Sequence, residues 1–415
     1  MSSCSVPGQV RRVFKDAGRV CPVDYRLASD AFAGDPEVAC DVLYVVGGLY
    51  GNPFALDAVD RLVAAEQGDV RVVLNGDMHW FDKTAENFAA LERRASRYLP
   101  LVGNVEAELR RQVDVGVGCG CAYPDCTGDD AVSRSNRIHR KLSEAVNAHP
   151  ELKELLAGRP ATCTVGVAGR KVAVTHGDEQ LIGGWACSRE SLQDVLRQDE
   201  LDRWMAANDV DVLACTHTCA PAALSLARGL VVNNGAAGLP NFFGQHFGLA
   251  VRVAAAPHPD ALFGAERDGL FVEAVPLRYD HDASLAWFDE LWPAATAAAL
   301  STARTTGWTT RCSAASAAAP PPAPTPRRFG RMRRRATWSW RWPGSCISRT
   351  SWTMPPACTR RASRPRSRST SRPAATWPAP TATWSRARTV PRPWTAPCSR
   401  PCWPWPRAPE STRLT

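Results

Sequence analysis

Asp41-Val42-Leu43-Tyr44-Val45-Val46-Gly47-Gly48-Leu49-Tyr50-Gly51-Asn52-Pro53 is the stretch on which the reading of the fold turns. Its first six residues are a short apolar, β-branched run halted by two glycines, which predicts a buried strand. Asn52 and Pro53 then open a segment, residues 54–63, with apolar side chains at helical spacing. Asn is a favoured N-cap and Pro is tolerated at the first helical position, so the segment predicts a helix.

Working outward, the same alternation repeats. Strands are predicted at 70–74, 99–102, 162–167, 171–175, 210–215, 230–233, 249–253 and 270–275, and helices at 83–97, 136–148 and 189–207. Strands alternating with helices give a layered α/β fold. Polar residues collect just after the strands, where open α/β sheets place their ligands.

Composition divides the 415-residue chain in two. Residues 301–415 hold 22 Arg, no Lys, no Asp and the single acid Glu410, a net +21. The first 300 residues therefore hold 50 − 22 = 28 basic and 41 − 1 = 40 acidic residues, a net −12. A body of that size can bury a full core. Its acidity argues against nucleic acid as its partner, which leaves only the basic tail for such a role. The N-terminal residues contain no apolar signal-peptide stretch, and no run of about 18 apolar residues occurs anywhere. The expectation is a cytoplasmic protein that makes no use of a membrane, its body cysteines reduced thiols.

The tail carries 19 of the 33 Pro and 10 of the 15 Trp, but only Ile347, Val390 and Leu414 among Ile, Val and Leu. Such a chain cannot bury enough apolar surface to offset the entropy of ordering, so it is expected to be disordered. It reads as a basic arm for RNA or an acidic partner, as a solvated linker, or as the translation of a shifted frame of GC-rich codons. The abrupt loss of every core-forming residue favours the last. Three parts are expected: a lead-in over 1–40, a main folded domain over 41–300, and this tail over 301–415.

Five of the segments after predicted strands carry unusual residues: Gly48-Leu49-Tyr50-Gly51-Asn52, Gly76-Asp77-Met78-His79, Gly103-Asn104-Val105-Glu106, His176-Gly177-Asp178 and Thr216-His217-Thr218-Cys219. Their order and spacing resemble the calcineurin-like metallophosphoesterase family, with its D-x-H-G-N, G-D, G-N-H-[DE], lone His and G-H-x-H blocks. Asn234-Gly235-Ala236-Ala237-Gly238-Leu239-Pro240 is similar to the N-P-G-S-x-G-x-P turn of its smaller bacterial members. The resemblance covers residues 42–279. It implies a four-layer α/β sandwich, two mixed β-sheets flanked by helices. It also implies hydrolysis of a phosphate mono- or diester by metal-activated water, with Mn, Fe or Zn as the divalent metal.

Carried over residue by residue, the resemblance leaves one metal position intact and one dismantled. Asp77 is the counterpart of the bridging Asp, and Asn104, His176 and His217 are the counterparts of the second metal's ligands. At the first metal, the Asp position is Gly48, the His position is Tyr50 and the last His is Cys219. Val105 stands where the family has the His that protonates the leaving group; the acid after it is retained as Glu106. Tyr50 phenolate, Cys219 thiolate and a swung-in His79 could rebuild the first site, but one ion held by Asp77, Asn104, His176 and His217 is the more economical reading.

Tyr50 and His79 are the nearby candidates for the proton donor. Against those roles stand simpler ones, Tyr50 as a plug in the vacated position and His79 packed with Trp80 and Phe81. Asp178 and Glu179 read as turn or capping residues. Cys119-Gly120-Cys121-Ala122-Tyr123-Pro124-Asp125-Cys126 reads as a tight loop with buried thiols or as a soft-metal site. The expected ligand is a small phosphorylated substrate or a nucleotide. The alternative is a catalytically degenerate member that binds a phosphate ligand or regulates.

Overall fold

Residues 17–242, 244–306 and 336–337 are described in a computed structural model. The short β1 (Val38–Cys40) precedes β2 (Val42–Val46), which is buried along its whole length. Leu43 and Val45 enter one apolar core, and Val42, Tyr44 and Val46 enter another. A strand buried on both faces belongs inside a covered sheet, as parallel strands do. In α1 (Pro53–Ala65) the Asn52 side chain accepts from the Phe54 and Ala55 N–H groups, with Pro53 at the first turn, as the sequence predicts.

β3 (Val70–Asn75) and β4 (Leu99–Leu101), with α2 (Ala85–Ala95) between them, continue the parallel set. On the other side of β2, the antiparallel strands β10 (Phe247–Ala254), β12 (Leu270–Arg278) and β11 (Phe263–Arg267) complete a sheet in the order β11-β12-β10-β2-β3-β4.

The second sheet contains β5 (Thr162–Val167), β6 (Arg170–Thr175), β7 (Val212–Cys215), β8 (Ala222–Ser225) and β9 (Leu230–Asn233), in the order β1-β5-β6-β7-β9-β8. The two-residue β13 (Ala336–Thr337) pairs with β8. Here β6, β7 and β9 are mutually parallel.

Val45 and Val73 from the first sheet meet Val165, Val174, Val212 and Val232 from the second in a single core. Burying each such side chain contributes about 1.5–3 kcal/mol, so this layer holds the sheets face to face. Leu56, Val59 and Leu91 of α1 and α2 cover the outer face of the first sheet. Leu201 and Met205 of α6 (Val195–Ala207) cover that of the second. The result is the expected four-layer sandwich.

Five further helices are α3 (Asn104–Leu109), α4 (Asp129–Asn147), α5 (Pro150–Ala157), α7 (His281–Leu291) and α8 (Ala297–Thr306). They share one apolar cluster with Tyr50 and Phe81 from the strand-end loops. That helical cap gives the loops a packed support.

Some boundaries differ from those predicted, for local reasons. α4 starts at Asp129 rather than at 136 because Asp129 and Asp130 suit the positive N-terminal end of a helix, a polar turn that apolar spacing cannot reveal. The helix predicted over 189–207 is broken: Asp194 accepts from the Leu196 N–H and starts α6 afresh after a 3-10 turn at Ser191–Gln193. α8 runs to Thr306, across the boundary expected at 300. The disorder and the frame shift inferred for the tail concern residues that otherwise lie outside the described ones. Among the described residues no helix is long and apolar enough to cross a membrane.

Candidate metal centre

The parallel strands of both sheets aim their C-terminal ends at one region, where loops supply ligands. Asp77 follows β3, Asn104 opens α3 after β4, His176 follows β6 and His217 follows β7. His176 Nδ1 is 2.8 Å from the Asn75 carbonyl and His217 Nε2 is 3.1 Å from the Cys121 carbonyl. A carbonyl only accepts, so both nitrogens carry the proton and the opposite nitrogens present lone pairs.

His176 Nε2 lies 3.3 Å from Asp77 Oδ1, 3.2 Å from Asn104 Oδ1 and 3.2 Å from His217 Nδ1. The Asn104 amide nitrogen donates to the Cys119 carbonyl at 2.9 Å, which turns its oxygen toward this group. All four residues are buried.

Two oxygens and two imidazole nitrogens thus face one another with their lone pairs. That arrangement is unfavourable unless a positive charge sits among them. One proton relieves it in part. Burial opposes charge on Asp77, yet the adjoining His176 ring outweighs burial and holds the carboxyl below its usual range. Burial likewise opposes protonation of His176, and Asp77 outweighs it, raising that imidazole. Burial and then the His176 charge push His217 down to about 4. A divalent ion fits the set better than a single proton, since carboxylate, amide oxygen and imidazole suit Mn, Fe and Zn. Among the described residues Asp77, His176 and His217 are the one His/Cys/Asp/Glu group close enough to share an ion.

The cradle is held from behind. The buried Glu106 carboxylate accepts from the N–H groups of Asp77, Met78 and Gly103, at 2.9, 2.8 and 2.9 Å. It ties the Asp77 turn to the start of α3. An acid three residues after the helix-opening Gly103 is the signal that could have revealed this clamp. Tyr25 in the lead-in donates to the Asn104 carbonyl at 3.1 Å, and His139 of α4 lies 3.4 Å from the Val105 carbonyl; neither had a signal in the sequence.

Close approach also needs glycine. A Cβ on Gly76, at φ +76°, would lie 2.5 Å from Gly103 Cα and 2.6 Å from His176 Nδ1. Gly76→Ala is therefore expected to cost about 1–3 kcal/mol in backbone strain and to weaken metal binding by at least about tenfold. Denaturant unfolding and metal titration of the variant measure the two effects.

Where the resemblance places the first metal, the Tyr50 hydroxyl and the Cys219 thiol are 2.7 Å apart. A Cβ on Gly48 would come within 2.9 Å of the Tyr50 ring and hydroxyl, so the phenol fills the space in which a side chain at 48 would begin. Burial raises the Tyr50 hydroxyl well above its usual range, with Cys219 and Asp77 adding to the shift, so Tyr50 is a neutral phenol.

His79 does not join the centre, contrary to its candidacy as proton donor. It is fully buried, with Nδ1 2.9 Å from Asp82 and Nε2 2.5 Å from Glu92, and its ring stacks on Phe88. Both nitrogens are occupied, so it neither swings in nor reaches a leaving group. The Cys119–Cys126 segment forms no metal cluster among the described residues. Cys119 and Cys121 are buried and Cys126 is exposed, and it is the loop's carbonyls that orient Asn104 and His217. Asp178 accepts three turn N–H groups, as expected, whereas Glu179 makes a buried ion pair with Arg197.

Two mixed sheets lie face to face, and the Asp77, Asn104, His176 and His217 loops meet at their strand ends in the family's order. The arrangement is a two-sheet α/β sandwich with its polar loops gathered at the strand ends. No protein-family model matches the chain, and no curated protein matches it. Solved structures similar to this chain include a hypothetical protein from Pyrococcus horikoshii OT3, at 13% identity and TM-score 0.42, over 61% of this chain and 93% of that one. A metallophosphoesterase from Sphaerobacter thermophilus is similar at 14% identity and TM-score 0.40, over 62% of this chain and 98% of its own. Vps29 from Chaetomium thermophilum is similar at 14% identity and TM-score 0.28, over 58% and 88%. The likeness is one of fold.

Proposed function

We propose that the chain is a metal-dependent phosphoesterase that works with one divalent ion, held by Asp77, Asn104, His176 and His217, on a small phosphorylated substrate or nucleotide. The observation that carries this reading is the convergence of four buried lone-pair donors on one point. When bound, a divalent cation supplies Lewis-acid charge to a phosphoryl oxygen and lowers the pKa of a water. The residues around it fix the geometry. Asn75 and Cys121 set the imidazole tautomers, Cys119 sets the Asn104 amide, and Glu106 sets the Asp77 turn.

Proton supply to the leaving group is the weak link. Val105 is fully buried at the position that the resemblance gives to the donor His, and His79 is locked elsewhere. Esters with good leaving groups, such as aryl phosphates, need no such donor and are the substrates within reach of this site. Tyr50 acts as a plug in this reading. Tyr50→Phe is expected to change turnover less than about tenfold, whereas loss of a general acid costs about 10²–10⁴; steady-state kinetics on the variant decide between them.

A second reading, a phosphate-ligand binder or regulator without turnover, is favoured by the phenol filling the position of the first metal. Metal analysis of the purified full chain, followed by hydrolysis of an aryl phosphodiester with added Mn²⁺, separates the two. One ion per chain with turnover supports the esterase. One ion without turnover supports the binder. No ion bound from Mn, Fe or Zn overturns both.

A further inference from the structure

A cavity of about 300 Å³, lined by none of the four converging residues, is bounded by Asp24, Tyr25, Ala107, Arg110, Arg111, Ala157 and Ile182. Its two guanidinium groups differ. Arg111 is paired with two carboxylates: Nη1 and Nη2 donate to the two Asp24 oxygens at 2.5 and 2.8 Å, and Nε donates to Glu108 at 2.8 Å. Arg110 gives one N–H to the Arg159 carbonyl at 3.3 Å and has no carboxylate partner among the described residues. It is half-buried beside a like charge, and burial followed by the Arg111 charge lowers it from its usual value. A half-buried cation with unused donors beside a cavity is stabilised by an anion, and a planar guanidinium matches phosphate oxygens. Ala107, Ile182 and Ala157 give the rest of the wall an apolar, small-residue character. Tyr25 joins this wall to the metal centre, because its hydroxyl reaches both Glu108 and the Asn104 carbonyl.

We propose that this cavity is a second binding site, for a small organic phosphate whose anionic group sits on Arg110 and whose carbon portion lies against Ala107, Ala157 and Ile182. The site is separate from the metal centre and does not depend on turnover there. Calorimetric titration of the full chain, stripped over a chelating resin, with inorganic phosphate and with phenyl phosphate tests it. The Arg-rich tail contributes equally to wild type and variants, so differences report the cavity.

Phenyl phosphate is expected to bind more tightly than inorganic phosphate. Arg110→Ala is expected to weaken phenyl phosphate at least about tenfold, the loss of a charged hydrogen bond. Ala157→Phe, which fills the cavity from an exposed position and keeps Arg110, is expected to do the same. His217→Ala is expected to leave the binding unchanged. Wild-type affinity in both cavity variants, loss on His217→Ala, or no binding to wild type up to about 10 mM ligand overturns the proposal. Equal affinity for the two ligands overturns its apolar half.

Discussion

His217→Ala is expected to take the bound divalent ion from about one per chain to none and to lower Mn²⁺-stimulated hydrolysis by well over about 100-fold, more than the 10–100-fold that losing an outer partner of a ligand costs. The magnitude follows from the cradle. His217 Nδ1 is one of only four converging donors, and its proton-bearing nitrogen is committed to the Cys121 carbonyl. Alanine removes a ligand and leaves that carbonyl without its partner. Inductively coupled plasma analysis and steady-state kinetics on the same preparation check both parts. An alanine variant that keeps its ion and its turnover would sink the four-ligand centre. The fold should survive the substitution, because His217 sits on a loop at the end of β7 and not in the intersheet core.

Glu92→Ala is expected to cost about 3–5 kcal/mol, because removing one partner of a buried ion pair strands the charges it neutralised. Glu92 accepts from His79 Nε2 and from Arg159, all three residues being buried, and Asp82 holds the other His79 nitrogen. Against a typical total stability of about 5–15 kcal/mol this is a large share. Urea unfolding of wild type and variant measures it, and a loss below about 1 kcal/mol would show the cluster to be dispensable.

The same cluster sets a pH window. Burial would raise the Glu92 carboxyl, but His79 and Arg159 outweigh it and bring it from an ordinary 4.5 to about 2. A depressed acid contributes stability that is present above pH 4.5 and is lost as pH falls toward 2. Burial would lower His79, but Asp82 and Glu92 outweigh it and raise the ring from 6.5 to about 9. A raised base contributes stability that is full below pH 6.5 and is lost as pH rises through 9. The cluster's contribution should therefore be greatest between pH 4.5 and 6.5 and should decline on both sides. In Glu92→Gln the acid decline should be shallower.

How much of this was legible beforehand follows from what each feature depends on. β2 and α1 could be read because their signals are local: a β-branched run, then Asn-Pro ahead of helical spacing. α5, α7 and β11 were not predicted, because short segments at the surface carry little periodicity. The four converging residues, Asp77, Asn104, His176 and His217, could be picked out because each follows a strand and lies in a recognisable order. His79 shows the limit of that method. Two residues from Asp77, it looked like a spare imidazole, yet its ring turns the other way to meet Asp82 and Glu92. Nothing in the sequence near His79 names Glu92 or Arg159 as its neighbours.

Local sequence by itself determined strands such as β2, β3 and β6 and the start of α1, because backbone propensity, capping and side-chain chemistry act within a few residues. Only the tertiary structure decided that the Tyr50 hydroxyl lies against Gly48 and Cys219, that Glu106 clamps the Asp77 turn, that the Cys119 and Cys121 carbonyls hold Asn104 and His217, and that Arg110 has no carboxylate hydrogen-bond partner among the described residues. Those outcomes depend on atoms brought within about 3 Å from distant parts of the chain, where hydrogen-bond geometry and desolvation set the energies.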